Sequence, residues 1–579
     1  MDLEKYINEK MKSFFKEHNE SFNSLKKAND FLESYCGVIN FFTKEVELNN
    51  IQDFININLK EVGEPNRRAY GDFQTNENLS SKITNKIQQS GFSPEFILEP
   101  TCGKGIFLIN SLKVFKEVKK LVGIEIYYPY VLETKFKILN LFLENKNKCK
   151  PKIEIIHADI FQFSLKELSK TTKELKTLII GNPPWVTNSE LGSINSKNLP
   201  KKSNFKNHNG IDAITGKGNF DIGEYISVMI LELFHEHNGL IAFLVKNIVV
   251  KNILVNQKKR QFKIGTIEKL NIDAKQEFNV SVNACLFQAK LNQKPTFTCI
   301  ERDFYTNEKQ TTFGWYEEKF VHSVEKYQKV KAIDGKCSFV WRQGVKHDCS
   351  KIMELNRVNG HFINGLKEEV VLEKDLLYGL LKSSDLKNEL INSYRKTTII
   401  TQKKVGQDTS FIKRNHPKTF TYLDKNRTAF DKRKSKIYKG KPPFSIFGIG
   451  EYSFAKYKVA IAGMYKRTIF SLVLPENDKP LMLDDTCYFI GFDNLKDAQI
   501  AQKLLNSSLV QDFLVSIIFK DAKRSITKDI LMRIDLAQTA KKYIQNNDWL
   551  DSNELNKDVL RDFNEKYLKP VESKQMQIF

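Results

Sequence analysis

Paired cysteines are missing from this chain. The eight cysteines, Cys36, Cys102, Cys149, Cys285, Cys299, Cys337, Cys349 and Cys487, stand apart with no Cys-x-x-Cys pair, which excludes a zinc ribbon or a disulfide framework and reads as free thiols in a reducing compartment. Long apolar runs are missing too. The longest, such as LIAFLV and VSIIF, fall far short of the roughly 20 residues that span a bilayer. The N-terminus MDLEKYINEKMKSFF is charged from its second residue, so no signal segment is expected and the protein is read as cytoplasmic. There is no internal repeat, no Pro- or Ser-rich linker and no low-complexity tract. Acid is in deficit: 69 Asp and Glu stand against 91 Lys and Arg, a net charge of +22. So strong a positive field suits a polyanionic partner, with a merely solvated basic surface as the plain alternative.

What is present divides by rhythm. At 579 residues, 41% of them hydrophobic, the chain exceeds what one core can fill, so two large domains are expected. Residues 1 to about 60 repeat apolar positions at helical spacing and read as helices packed on the domain C-terminal to them. Between 61 and 295 seven short β-rich runs (FILEP, KLVGIEI, IEIIHAD, LKTLIIG, GLIAFLVKN, IEKLNIDA and VNACLFQAKL) alternate with helical segments. That pattern predicts an α/β domain with a mostly parallel sheet covered on both faces, whose ligands bind at the carboxyl ends of the strands. The rhythm is lost past about 295, so a second domain of mixed α/β character is expected from about 330 to 579, with a break between 295 and 330.

In FILEPTCGKGIFL a buried strand ends at Glu99-Pro100, and Thr101, Cys102, Gly103 and Gly105 come next, before an apolar helix. Glycines there let the backbone turn sharply and approach a nucleotide-like cofactor closely, although a tight turn with no ligand would look the same. The next strand ends with Glu125, 26 residues after Glu99, where an acid can accept from ribose hydroxyls. The third ends with Asp159, which could accept from an adenine amine. Each acid taken singly could be a helix N-cap; three at successive strand ends point to a cofactor site.

The fourth strand runs into Asn182-Pro183-Pro184-Trp185. The amine of a nucleobase is a poor nucleophile because its lone pair is delocalised into the ring. The Asn182 side-chain oxygen and the Pro183 carbonyl are two acceptors that a rigid turn could aim at one NH₂ group. Two prolines form a stiff shelf with no competing N–H donors, and Trp185 offers a flat face to an unstacked base.

These residues resemble the gamma-class N6-adenine DNA methyltransferases of restriction-modification systems. The catalytic motif of that family is Asn/Asp-Pro-Pro-aromatic, here NPPW, and its cofactor loop is similar to EPTCGKG. A family element upstream is similar to YGDFQTNENLSSKI, with Gly71, Phe73 and Thr75 matching and Asn76 standing where proline is usual. The resemblance implies a Rossmann-like seven-stranded sheet, S-adenosyl-L-methionine as cofactor and a C-terminal target-recognition domain. It places the cofactor against Phe73, Thr75, Glu99 to Gly103, Gly105, Glu125, Ile126, Asp159, Ile160 or Phe161, Asn182 and Asp221. It also makes Phe278 the aromatic that packs on the target base opposite Trp185. No metal is implied.

Two basic segments complete the expectation. The insert from 186 to 219 carries Lys197, Lys201, Lys202, Lys206 and Lys217, and is read either as closing over DNA or as a solvated loop. The stretch 395–442 supplies Lys403, Lys404, Lys413, Arg414, Arg427, Lys432, Arg433, Lys434 and Lys436 as phosphate contacts. The activity expected is methylation of a flipped adenine in double-stranded DNA by a monomer, with a separately encoded restriction endonuclease as cognate partner. Rival readings are an RNA adenine methyltransferase, a protein-glutamine methyltransferase, a modification subunit that needs a specificity subunit, and a fused restriction-modification enzyme, for which no nuclease motif is found.

Overall fold

The computed structural model describes residues 6–56, 74–145, 150–186, 221–464, 467–519, 524–546 and 557–567. The chain divides into two compact units, Met1–Phe320 and Val321–Phe579.

Unit one opens with helices α1 (Glu9–Glu17), α2 (Leu25–Cys36) and α3 (Glu45–Asn56). Asn8 and Ser24 cap the first two, each side chain accepting from a backbone N–H three residues on. Their apolar stripes, Phe14 and Phe15 on α1 and Ala28 and Leu32 on α2, enter the same core as Phe136 and Leu139 of α6 (Tyr128–Asn145). The buried Lys135 of α6 donates to the carbonyls of Asn40 and Phe41, fastening the loop between α2 and α3.

After α4 (Glu77–Gln89), strands and helices alternate: β1 (Phe96–Glu99), α5 (Ile106–Val114), β2 (Lys120–Glu125), α6, β3 (Lys152–His157), α7 (Leu165–Thr171), β4 (Thr177–Gly181), α8 (Ile222–Phe234), β5 (Gly239–Lys246), α9 (Asn247–Arg260), β6 (Ile264–Ile272), α10 (Ala274–Phe278) and β7 (Ala284–Leu291). Strands β1 to β5 pair in parallel, and β1 and β4 are buried along their whole length, as strands covered on both faces must be. Strand β7 is antiparallel to both β5 and β6.

The expected seven strands are therefore present, but the sheet is larger. It has ten strands, because β8 (Thr298–Asp303), β9 (Lys309–Tyr316) and β10 (Lys319–Val321) extend it beyond β6, in the order β10-β9-β8-β6-β7-β5-β4-β1-β2-β3. Their sequence rhythm differs from that of β1 to β7 because β8 and β9 form an antiparallel pair joined by a short turn, with no helix between them.

The direction of winding reverses between β1 and β4. Strands β2 and β3 lie to one side of β1, while β4 and β5 lie to the other. A crevice opens at such a reversal, outside the carboxyl ends of the strands.

Unit two holds two sheets. One has five strands, in the order Arg342–Gln343, Cys487–Phe492, Tyr457–Ala462, Ser471–Val473, Leu390–Ile391. The other has six: Glu369–Val370, His361–Ile363, Glu354–Val358, Lys396–Ile399, Leu377–Leu381, Met482–Leu483. The basic stretch is carried on short helices, among them Phe411–Asn415, Pro417–Lys425 and Arg427–Asp431, whose buried Ile412, Leu423 and Phe430 join the core of the six-stranded sheet.

Candidate active site

At the β1–β4 reversal lies a cleft of about 1160 Å³, including its solvent-open part, lined by the ends of β1, β2, β3 and β4. Its walls include Thr75, the run Glu99 to Gly103, Glu125, Ile126, Asp159, Ile160, Phe161 and Asn182 to Trp185. Four strand ends that are separate in sequence thus meet in one place.

The turn after β1 is set by two glycines. Gly103 has φ +52, and its N–H donates to Glu125 Oε2 at 2.8 Å, fastening the turn to the end of β2. Glu125 Oε1 accepts from Tyr127 N at 2.8 Å. Gly105, φ +70, starts α5, and a Cβ there would lie 2.3 Å from Thr134 Cγ2 of α6. At Gly105 the observed close contact is with α6: the missing side chain lets α5 and α6 approach.

Glu99 is 2% exposed, and its Oε2 has no hydrogen-bond partner among the described residues. Burial, reinforced by the charge of Glu125, pushes its carboxyl well above the usual carboxylate range. Asp159 accepts from Phe161 N and Gln162 Nε2, both at 3.0 Å.

Gly181 closes β4 at φ +156, and a Cβ there would stand 3.3 Å from Glu99 Cγ, so Asn182 leaves the sheet directly beside Glu99. Asn182 Nδ2 donates to Thr75 Oγ1 at 3.2 Å. Gly223, in the first turn of α8, would place a Cβ 3.3 Å from Pro184 O; the bare backbone lets the helix start abut the proline shelf. Trp185 is buried, and its indole N–H donates to Leu244 O at 3.2 Å, which fixes the ring over β5.

Two expected residues sit differently. Phe278 meets Trp185 edge to face, with ring centroids 4.9 Å apart and planes at 65°, so the two rings do not form a slot for a base between them. Asp221 is the N-cap of α8, accepting from Glu224 N and paired with Lys246 Nζ at 2.5 Å, and it does not line the cleft. Its carboxyl is raised by burial against the opposing pull of Lys246.

Phe73 and Gly71, and Lys197, Lys201, Lys202, Lys206 and Lys217 of the insert, lie outside the described residues. Sequence reasoning misses Gln74, Tyr127 and Tyr130, which also line the cleft; the cluster YYPY directly after the Glu125 strand end is the available signal.

In unit two, Lys403, Lys404, Lys413, Arg414, Lys432, Lys434 and Lys436 are exposed. Arg427 is exposed but held by Asp424 at 2.6 Å. Arg433 departs from the expectation of a phosphate contact: its guanidinium donates to the carbonyls of Phe430, Ser445 and His347 and lies 3.7 Å over the Tyr438 ring. With Nε and Nη1 donating inward, it holds the basic stretch to the core. No helix among the described residues is long and apolar enough to cross a membrane.

The model of the N-6 DNA methylase family matches residues 50–347. The Type II methyltransferase M.NspV of Nostoc sp. (strain ATCC 29411 / PCC 7524) is 40% identical over 481 residues, 83% of this chain and 98% of the relative. Among solved structures, the Type IIL restriction-modification enzyme MmeI in complex with DNA matches 86% of this chain and 72% of its own at 12% identity and a TM-score of 0.46. A modification subunit of a putative type I restriction enzyme from Vibrio vulnificus YJ016 matches 50% of this chain and 55% of its own at 16% identity and a TM-score of 0.28. With the family model covering half of the chain and a Type II methyltransferase matched over nearly its full length, this chain belongs to the N-6 DNA methylase family.

Proposed function

We propose that the chain is a site-specific DNA adenine N6-methyltransferase, the modification enzyme of a restriction-modification system, acting on an adenine rotated out of duplex DNA. The observation that carries this reading is the meeting of Asn182-Pro183-Pro184-Trp185 with the strand-end acids Glu99, Glu125 and Asp159 in one cleft.

The cleft suits S-adenosyl-L-methionine. Glu99 brings a buried carboxyl oxygen without a protein partner among the described residues, and the bare Gly103 backbone leaves room for the Gln74 side chain at the cleft wall. Glu99, Gly103, Glu125, Ile126, Asp159 and Ile160 would hold the cofactor, which when bound supplies an electrophilic methyl group.

The work of this chain is positioning and electrostatics. The amide of Asn182, oriented by its bond to Thr75, and the Pro183 carbonyl accept from the adenine N6 amine, localising the nitrogen lone pair for attack. Trp185, locked to Leu244 O, provides one wall for the base. The Phe278 ring must turn out of its edge contact with Trp185, its segment staying where it is, if it is to cover the opposite face.

Purified chain, duplex DNA and methyl-labelled cofactor test the proposal. Label should appear in N6-methyladenine within one sequence context. Asn182→Ala should lower the rate at least about 100-fold, the scale of losing one transition-state hydrogen-bonding group, with DNA affinity within about twofold. Absence of transfer by the chain alone, or label on RNA or protein instead, would overturn it.

A further inference from the structure

Asn76 occupies the place where the resembled pattern has proline, and the structure gives it two tasks. Its Oδ1 accepts from Leu79 N at 2.7 Å and caps α4. Its Nδ2 donates to Glu277 Oε2 at 2.8 Å, which a proline could not do. Glu277 also takes a second bond, on Oε1, from the Tyr305 hydroxyl at 2.9 Å. Tyr305 sits in the turn between β8 and β9, strands that lie outside the seven-stranded part of the sheet. Asn307, in that same turn, accepts from Lys86 of α4 at 2.9 Å, so the turn braces α4 as well.

The ends of this bridge lie at both halves of the active site. Thr75, the neighbour of Asn76, accepts from Asn182. Phe278, the neighbour of Glu277, contacts Trp185. Helix α10 is only five residues long, and the chain leaves it through Asn279 at φ +55, so α10 has little regular structure of its own to fix the Phe278 ring. Asp273 caps its start, and the two bonds to the Glu277 side chain, with a longer one from Asn76 to the Glu277 carbonyl at 3.4 Å, add restraint from outside the helix.

We propose that Asn76, Glu277 and Tyr305 are positioning residues that hold Phe278 in register with Asn182, so that the wall over the target base is tied to the cofactor-side segment. This role rests on the methyltransferase reading only for its consequence in rate; the restraint on α10 stands on the hydrogen bonds themselves.

Two variants separate capping from bridging. Asn76→Asp keeps a good N-cap but sets a carboxylate against Glu277. In the double variant Asn76→Asp with Glu277→Gln, the glutamine amide can donate to the new carboxylate while its oxygen still accepts from Tyr305. Amide hydrogen exchange over 274–283 should accelerate at least about fivefold in the single variant and return to within about twofold of wild type in the double variant. On DNA carrying 2-aminopurine at the target position, the single variant should lose at least half of the fluorescence rise on binding, and kcat should drop about fivefold with KM for the cofactor unchanged; both should recover in the double variant. Unchanged exchange in Asn76→Asp, or no recovery in the double variant, would overturn the bridge. A wild-type chain that fails to methylate would instead count against the function, and the exchange measurement would still decide the bridge.

Discussion

At Gly105 the missing side chain matters twice. The residue has φ +70, and the space where a Cβ would go is occupied by Thr134, at 2.3 Å from Cγ2 and 2.8 Å from Oγ1. Thr134 in turn donates to Gly103 O at 3.2 Å, so any push on it reaches the cofactor turn. Gly105→Ala should therefore destabilise the fold by about 1–3 kcal/mol through backbone strain and overpacking, seen as a lower midpoint in thermal denaturation, with weakened cofactor binding by titration calorimetry. A midpoint equal to wild type would place the conflict elsewhere. The contact with Thr134 is not legible in the sequence, because a glycine in a βα turn looks the same whether it admits a cofactor or a neighbouring helix.

Among the elements, the strand Tyr457–Ala462 carries an unusual passenger. Lys458 is 1% exposed, and its ammonium donates to Ala455 O at 2.7 Å. Burial pulls it down to about 7. An unfolded lysine keeps its proton up to about pH 10.4. Between those values the unfolded state binds more protons than the folded one, so this group makes stability rise with pH across that window, and below about pH 7 the folded chain carries a buried charge at full cost. Lys458→Met should raise stability at pH 7 by on the order of a few kcal/mol, and its advantage over wild type should shrink as pH rises toward about 10. Denaturant titrations of both chains across that pH window measure this; an advantage independent of pH would mean that Lys458 titrates alike in the folded and unfolded chains.

The active-site elements show where pattern reading stops. Strand ends at Glu99, Glu125 and Asn182 are legible because a parallel strand buried on both faces is a short apolar run, and Asp159 because its edge strand still repeats isoleucine, with the residues just beyond each strand turning at the sheet edge. The edge contact of Phe278 with Trp185 is not, since ring orientation depends on a five-residue helix and on bonds to Glu277 from Asn76, 201 residues away in the chain, and from Tyr305, 28 residues away.

At the scale of the whole molecule, charge sets the expected partner behaviour. Binding to DNA should weaken steeply with salt, by about 0.9 in log K per log salt for each phosphate neutralised. Replacing Lys432, Lys434 and Lys436 together by alanine should make that slope shallower by about 0.9 for each phosphate no longer neutralised, because these side chains are exposed. Arg433→Ala should leave the slope unchanged and lower thermal stability instead, since it strips donors from three backbone carbonyls. Filter binding between about 50 and 200 mM salt distinguishes them; a slope that responds to Arg433 but not to the three lysines would reverse the assignment.

The succession of strands along the chain, the acids at their ends and the stiff asparagine-proline turn are properties of short stretches, each dictated by local burial periodicity and backbone restriction, and so the amino-acid sequence by itself determined them. Tertiary structure decided the rest. It placed β4 beside β1, brought three more strands and the Tyr305 turn to the β6 edge, turned the Arg433 guanidinium inward, and set Phe278 against Trp185. Those outcomes depend on which distant groups compete for the same space and the same hydrogen-bond donors, and no window of neighbouring residues contains that information.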